Sequence, residues 1–408
     1  MAKLRNAAIS VATTSVAGIA VFYQLYAKEF VFDTLGFGRT IEPIENFRWN
    51  CRRMTSAALE GCEDMWLDNQ DRVLYAACSG SLSRGQWNPG LSKYNISGRR
   101  PGGSQLISIK IDEPTVDGFF PMRSVGKRGY KGVTGDQSLD LIGFDVDNSV
   151  PGELRFWLIN QRPPVDTENN FLDASKVGAN VTVDVFSLKK RSKYMNHLQT
   201  IVHSSVYSAN NLALMGDGTF VLTNDHSGKV GMRKELDLFI GGGNVVHCQS
   251  TGDCKPVIGS SLKFANGIAR DQDGLVYVAF TGSPYIGVYR FTKTGQLEGI
   301  DRIPTGMAAD NLSVDSNGDI WAVGIPKVFD LVDSIVDPFN KESPSTIFKI
   351  HKSRDGKYKF TKVLEDRDAR FVASATIAVF DSLRGRLFIG GAATPFVTVC
   401  EPIRLPQI

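Results

Sequence analysis

Past residue 40 the apolar runs of this chain are short, rich in β-branched and aromatic residues, and bounded by Gly, Asp and Asn. That is how strands and hairpins read. Long 3.6-residue periodicities are few. One phrase recurs, an Asp/Asn/Gly turn followed at once by a hydrophobic strand that ends in small residues. It occurs at Asp68–Ala77, Pro151–Asn160, Gly216–Asn224, Asp271–Ala279, Asp315–Gly324 and Asp381–Gly390. Six copies of one turn-strand unit, spaced by very roughly 40 to 80 residues, predict an all-β chain built as a six-bladed β-propeller of four-stranded blades. Turn-strand phrases occur in all β folds, so a β-sandwich is the competing architecture.

The N-terminus differs in character. Lys3 and Arg5 precede a charge-free stretch of 22 residues, Asn6 to Ala27, about the length that crosses a hydrocarbon core. A cleaved signal has a shorter apolar centre and a small-x-small exit, whereas Tyr23, Gln24 and Tyr26 crowd this end. An uncleaved anchor helix is therefore expected over 1–27, with cleavage and secretion as the alternative. The positive charge ahead of it would leave the remainder in the endomembrane lumen or outside the cell. A linker over 28–50, the propeller over 51–402 and a tail over 403–408 complete the expected organisation.

At 408 residues, 42% hydrophobic and 22% charged, the chain is in the globular range, and a formal net charge of +3 makes no case for nucleic acid. The run Lys189-Lys190-Arg191-Ser192-Lys193 reads as a solvated turn between strands rather than a targeting patch. Cys51 and Cys400 bracket the globular part, and pairing them would close a ring. Cys248 and Cys254 flank a short loop that they could close, whereas Cys62 and Cys78 have no evident partner and are expected as buried free thiols. Asn95-Ile96-Ser97 and Asn180-Val181-Thr182 are sequons, usable if the domain is lumenal.

No G-x-S-x-G elbow, H-E-x-x-H helix or P-loop is present, and Gly241-Gly242-Gly243 lacks dinucleotide-site spacing and reads as a loop. What remains are separated acid and amide phrases: Glu63-Asp64, Asn210-Asn211, Phe264-Ala265-Asn266-Gly267 and Asp310-Asn311. They supply only hard oxygen donors, the ligands that calcium takes. No local loop could collect residues so far apart, but a closed ring could. Taken singly, each phrase is an ordinary turn former.

Gly61-Cys62-Glu63-Asp64, Thr223-Asn224-Asp225-His226, Phe264–Ile268, Asp310–Asp315 and the fifteen-residue step from Asn211 to His226 resemble the serum paraoxonase/arylesterase family, over about Cys51 to Cys400. The resemblance implies two calcium ions in a central tunnel. The ion at the mouth would take Glu63, Asn210, Asn266, Asp310 and Asn311, and the deeper one Asp64, Asn211 and the Ile142 carbonyl. It also implies hydrolysis of lactones or aryl esters, with calcium polarising the carbonyl for attack by water. Two departures stand out. Asn211 occupies a position that is usually Asp, which removes a charge from the deeper site. Asp140 and Gln161 fall where the family's histidine dyad would sit. Gln161 cannot accept a proton, so Asp140 or Asp310 becomes the candidate base, as in gluconolactonase-like propellers that use a carboxylate. His226 is a further catalytic candidate if it faces the tunnel, and a surface-turn histidine otherwise. His197, His203, His247 and His351 have no metal-like spacing. The competing function is a catalytically silent calcium-binding propeller that serves as a lumenal scaffold or ligand-binding protein.

Overall fold

Each turn-strand phrase proves to be the same hairpin, repeated around a ring. The computed structural model describes residue 18 and residues 20–403 except 117. Its six large sheets are the blades of a β-propeller. The innermost strands are Cys62–Asp68, Leu141–Asp147, Ala209–Leu214, Ala265–Arg270, Ala308–Val314 and Ile377–Asp381. In every blade the turn after the innermost strand carries the predicted Asp/Asn/Gly phrase and leads into the second strand. The reason is local. Asp271 Oδ1 accepts from Leu275 N (2.9 Å) and Asp315 Oδ1 from Asn317 N (2.8 Å), so the side chain replaces the backbone partner that a tight turn lacks.

Five blades have four strands. In the second, the short strand Gly126–Arg128 adds a fifth by pairing parallel with Tyr194–Asn196, so the expectation of four-stranded blades holds for the other five. The basic run Lys189–Lys193 lies at the turn between Asn180–Lys189 and Tyr194–Ile201 in the same blade. Gly243 begins the strand Gly243–Gln249, so the triple-glycine phrase is only partly a loop.

The core is a ring of interfaces between blades. Leu74, Ile107, Phe388 and Val399 join the first blade to the last, and Phe156 and Tyr75 join the first to the second. Trp157 and Phe220, Val221 and Val278, Tyr277 and Phe348, then Trp321 and Leu387 continue around the circle. No blade buries its faces alone, and stacking supplies the apolar contact. Closure mixes the chain's two ends: Trp49–Thr55 pairs antiparallel with Phe396–Pro402, and Cys51 lies opposite Cys400. A disulfide joins them across 349 positions. Closing so long a loop is worth roughly 6 kcal/mol in the chain-entropy account.

Two expectations change. Cys62 and Cys78 are not free thiols, since they form a disulfide between the first two strands of blade one. Sequence spacing hid this because the pairing is set by strand register, Cys62 opposite Cys78. Cys248 and Cys254 are also bonded. The stretch 28–50 lies against the ring rather than hanging as a linker, with Thr34, Ile41 and Ile44 buried and Val328 N donating to Leu35 O at 3.3 Å. Most of the expected anchor and residues 404–408 of the tail lie outside the described residues. Within them, Tyr23–Ala27 and Glu29–Thr34 are helical, and Phe22 and Phe30 meet Phe239 edge-on. No helix among the described residues is long and apolar enough to cross a membrane.

A candidate metal centre beneath an apolar cavity

Five innermost strands carry one extra residue where they approach the axis. The register slips between Cys62 and Asp64, Ala209 and Leu212, Ala265 and Ile268, and Ala309 and Leu312. In the second blade Leu141 pairs with Asn160 and Phe144 with Leu158, which leaves the same single excess. Such a bulge re-aims side chains that regular alternation would send to opposite faces. Here it lets consecutive residues address two levels of the central channel. Glu63, Ile142, Asn210, Asn266 and Asp310 line the cavity at one end, together with Thr376. Asp64 and Asn211 line the cavity at the other end.

Two glycines make the approach possible. A Cβ on Gly143 would lie 2.7 Å from Asn211 Cα, and one on Gly267 would lie 2.5 Å from Asn311 Cα. Any side chain there would push the bulges apart. The Cys62–Cys78 disulfide clamps the strand pair beside Glu63.

The polar contacts bind the strands around the channel. Asn311 Nδ2 donates to Glu63 Oε1 (2.8 Å) and to the Glu63 carbonyl (3.1 Å). The same carbonyl accepts from Thr376 Oγ1 at 3.0 Å. Asn211 Nδ2 donates to Asn311 Oδ1 (2.9 Å) and to Asp64 Oδ2 (3.4 Å). Thr223 Oγ1 donates to the Asn266 carbonyl at 2.6 Å. Asn311 is thus shared between the levels.

The two levels differ in what is left over. At the upper one, Glu63 Oε2, Asn210 Oδ1 and Asn266 Oδ1 are buried and have no hydrogen-bond donor. Buried acceptors without partners are costly and rare. Burial, followed by the nearby Glu63, pushes the Asp310 carboxyl well above the usual range, and burial also raises Glu63 itself. Orphaned hard oxygens beside two carboxyls fit a divalent cation of the calcium type. The lower level is different. Asp64 Oδ1 accepts from Met65 N (2.8 Å), Oδ2 from Phe144 N (2.9 Å), and Asn211 Oδ1 from Leu212 N (2.7 Å). Its oxygens already have donors, although burial and Glu63 still raise the Asp64 carboxyl well above its ordinary value.

Above the upper ring the lining turns aliphatic. Leu91, Leu238, Phe264, Ile325, Leu331 and Ile335 enclose it. The helix Val328–Val336 is the main part of this roof, and it sits close to Ser81–Gln86 because position 85 is glycine, where a Cβ would stand 2.8 Å from Ile335 O. Phe264 holds φ +51°, a left-handed conformation that a bulky residue seldom adopts.

The proton-transfer candidates separate clearly. Asp140 is buried but lies outside the cavity lining, gripped by Arg99 through Nε to Oδ1 (2.8 Å) and Nη2 to Oδ2 (2.7 Å). Gln161 turns Nε2 to the Ala209 carbonyl at 3.1 Å. His226 is buried, not on a surface turn, with Nδ1 2.7 Å from Asp225 Oδ1 and its ring edge-on to Phe264. Asp225 itself lines the cavity, and its Oδ2 has no donor. Burial alone would raise that carboxyl, but His226 and the Ser208 hydroxyl hold it below the usual range. Sequence reading quoted Asp225 without giving it a role. It also missed Arg84 and Thr376, which line the same cavity. Being adjacent to His226 was the available signal for the first of these, and the other two had none.

The family described as Arylesterase matches residues 164–401, more than half of the chain. The chain belongs to the arylesterase family. It is similar to rat serum paraoxonase/arylesterase 1, 27% identical over 324 residues that cover 76% of this chain and 79% of the relative. Human serum paraoxonase/arylesterase 2 is 29% identical over 306 residues, covering 74% and 77%. A solved structure described as a putative gluconolactonase superposes with a TM-score of 0.49 at 12% identity, over 87% of this chain and 92% of that one. Membership of the family makes this an esterase- or lactonase-type propeller.

Proposed function

We propose that this arylesterase-family protein is a calcium-dependent hydrolase of lactones or aryl esters. The observation that carries the reading is the trio of donor-less buried oxygens on Glu63, Asn210 and Asn266, set beside Asp310 at the floor of an aliphatic cavity. Glu63, Asn210, Asn266 and Asp310 would hold the ion, and Asn311 would fix Glu63 from the level below. When bound there, calcium supplies the Lewis acidity that polarises an ester carbonyl. A second ion at Asp64, Asn211 and the Ile142 carbonyl would have to compete with the N–H groups that already satisfy Asp64. One ion is therefore the expectation from this geometry.

The chain's own residues do the rest. Leu91, Leu238, Phe264 and the helix Val328–Val336 take the apolar body of the substrate and exclude water from it. Asp225 is the best-placed proton acceptor. It is ionised through the neutral range, has one oxygen free at the cavity wall, and is oriented through the other by His226 and Ser208. Asp140 is committed to Arg99 and acts as a structural anion.

The cavity roof also supports membrane association from the lumenal or extracellular side. Leu238 faces the cavity while its neighbours Leu236 and Ile240 are exposed, and Val328 and Leu331 face it while Phe329 and Val336 are exposed. An apolar outer face beside an apolar cavity suits substrates that partition into lipid.

Metal analysis of the purified protein, combined with a panel of lactones and aryl esters, tests the proposal. Bound calcium with turnover supports it. Bound calcium without turnover across the panel would instead favour the silent scaffold.

A further inference from the structure

Among the described residues Arg84 is the one cation in the cavity lining, and its position is built rather than incidental. The short helix Ser81–Gln86 carries it, and the glycine contact to Ile335 seats that helix against the roof. The side chain is only 3% exposed. Its Nη2 donates to Ser79 Oγ (2.8 Å) and the Leu141 carbonyl (2.6 Å), both neutral acceptors. Its Nε–H is buried with no acceptor at all. Among the described residues no carboxylate lies within ion-pair distance, because Asp140, the nearby acid on that side, is held bidentately by Arg99. Glu63 faces it across the floor and is the largest favourable charge that it feels.

A buried guanidinium without a paired anion is costly. Once Glu63 is engaged by a cation, the compensation it gives Arg84 is spent, and the cavity lining holds an unmatched guanidinium with a free N–H. We infer that Arg84 is the anion-binding residue of this cavity and receives the carboxylate that hydrolysis leaves. The inference rests on the proposed reaction for its source of anion. Ring opening of a lactone forms a bond from the water oxygen to the acyl carbon and breaks the acyl bond to the ring oxygen. One water proton goes to the departing alkoxide and the other to the cavity base, so the product is a hydroxy-carboxylate. The Nε–H, which has no acceptor, suits one of those two oxygens as a charge-assisted donor. Arg84 is thus a specificity and product-release residue rather than a proton carrier.

The test is calorimetric titration of the whole protein with 5-hydroxypentanoate, in calcium and in chelator, alongside inhibition of δ-valerolactone hydrolysis by the same compound. Arg84→Gln should weaken carboxylate binding at least about tenfold, the usual scale for a charged hydrogen bond, with calcium content unchanged. Arg84→Lys keeps the charge without the Nε–H and should fall between, which preserves the test if the glutamine variant does not fold. Carboxylate binding to Arg84→Gln with wild-type affinity, or no carboxylate binding to the wild type, overturns the inference. If the wild type hydrolyses no ester but binds the carboxylate in an Arg84-dependent way, the anion site stands and the proposed reaction fails. If hydrolysis proceeds while product binding ignores Arg84, the reverse holds.

Discussion

Asn311 reaches across the channel to Glu63, donating from Nδ2 to Oε1 at 2.8 Å over 248 positions of sequence. This contact takes one oxygen of a buried carboxyl and leaves the other, Oε2, with no donor. An amide thus orients the acid while a cation is left to complete it. Glu63→Gln should therefore lower calcium affinity by at least tenfold, since it removes a charged ligand. In chelator the same variant should melt at or above the wild-type temperature, because an unpaired buried charge is gone. Calcium titration and thermal melts check both halves.

The pH dependence follows from the carboxyls of Glu63, Asp64 and Asp310, all raised by burial, the two aspartates further by the charge of Glu63. A carboxyl whose folded pKa lies above its unfolded one favours the fold at low pH, and that contribution is lost as pH rises through the folded value. Metal-free protein should accordingly lose stability on going from mildly acidic to neutral solution. Calcium must displace the protons it competes with, so its affinity should fall as pH falls. The gap between melting temperatures with and without calcium is expected to widen from pH 5 to pH 8. A constant gap would count against the carboxylate site.

Asn211→Asp tests the deeper level. Asn211 Nδ2 now donates to Asp64 Oδ2 at 3.4 Å, and a carboxylate in its place would set two acids against each other. Without metal the variant should be destabilised by several kcal/mol. With calcium it should gain a second bound ion, visible as a change in metal stoichiometry.

Asp140→Asn and Asp225→Asn should part company. Breaking the buried Arg99 pair is expected to cost about 3 to 5 kcal/mol of stability, with little effect on turnover per folded molecule. Asp225→Asn should lower kcat by 10²-fold or more, the usual scale for a general base, with calcium content retained. Denaturant melts paired with kinetics on the same preparations separate the two.

Much of this molecule could be read from its sequence, for physical reasons that differ by element. The six Asp/Asn/Gly phrases were legible because turn chemistry is local, as Asp271 and Asp315 show by accepting from their own turns. The closing pair Cys51 and Cys400 was legible because a ring must join its ends. The Cys62–Cys78 bond was not, since it depends on strand register. The bulges were hidden as well: adjacent polar residues such as Asn210 and Asn211 hint that a strand breaks alternation, but not that they face two ends of one channel. Arg84 and the Arg99–Asp140 pair are long-range side-chain placements with no local signature. That is why the expected oxygen donors came together while the proposed proton acceptor is Asp225 rather than Asp140.

The central claim is that turnover runs through the oxygen-lined floor of this cavity. It is tested most directly by following δ-valerolactone hydrolysis through removal of metal with chelator and stepwise return of calcium. The account predicts that activity disappears with the metal and returns in proportion to calcium bound at a single class of site, lost in Glu63→Gln. Undiminished hydrolysis by metal-free protein would contradict it.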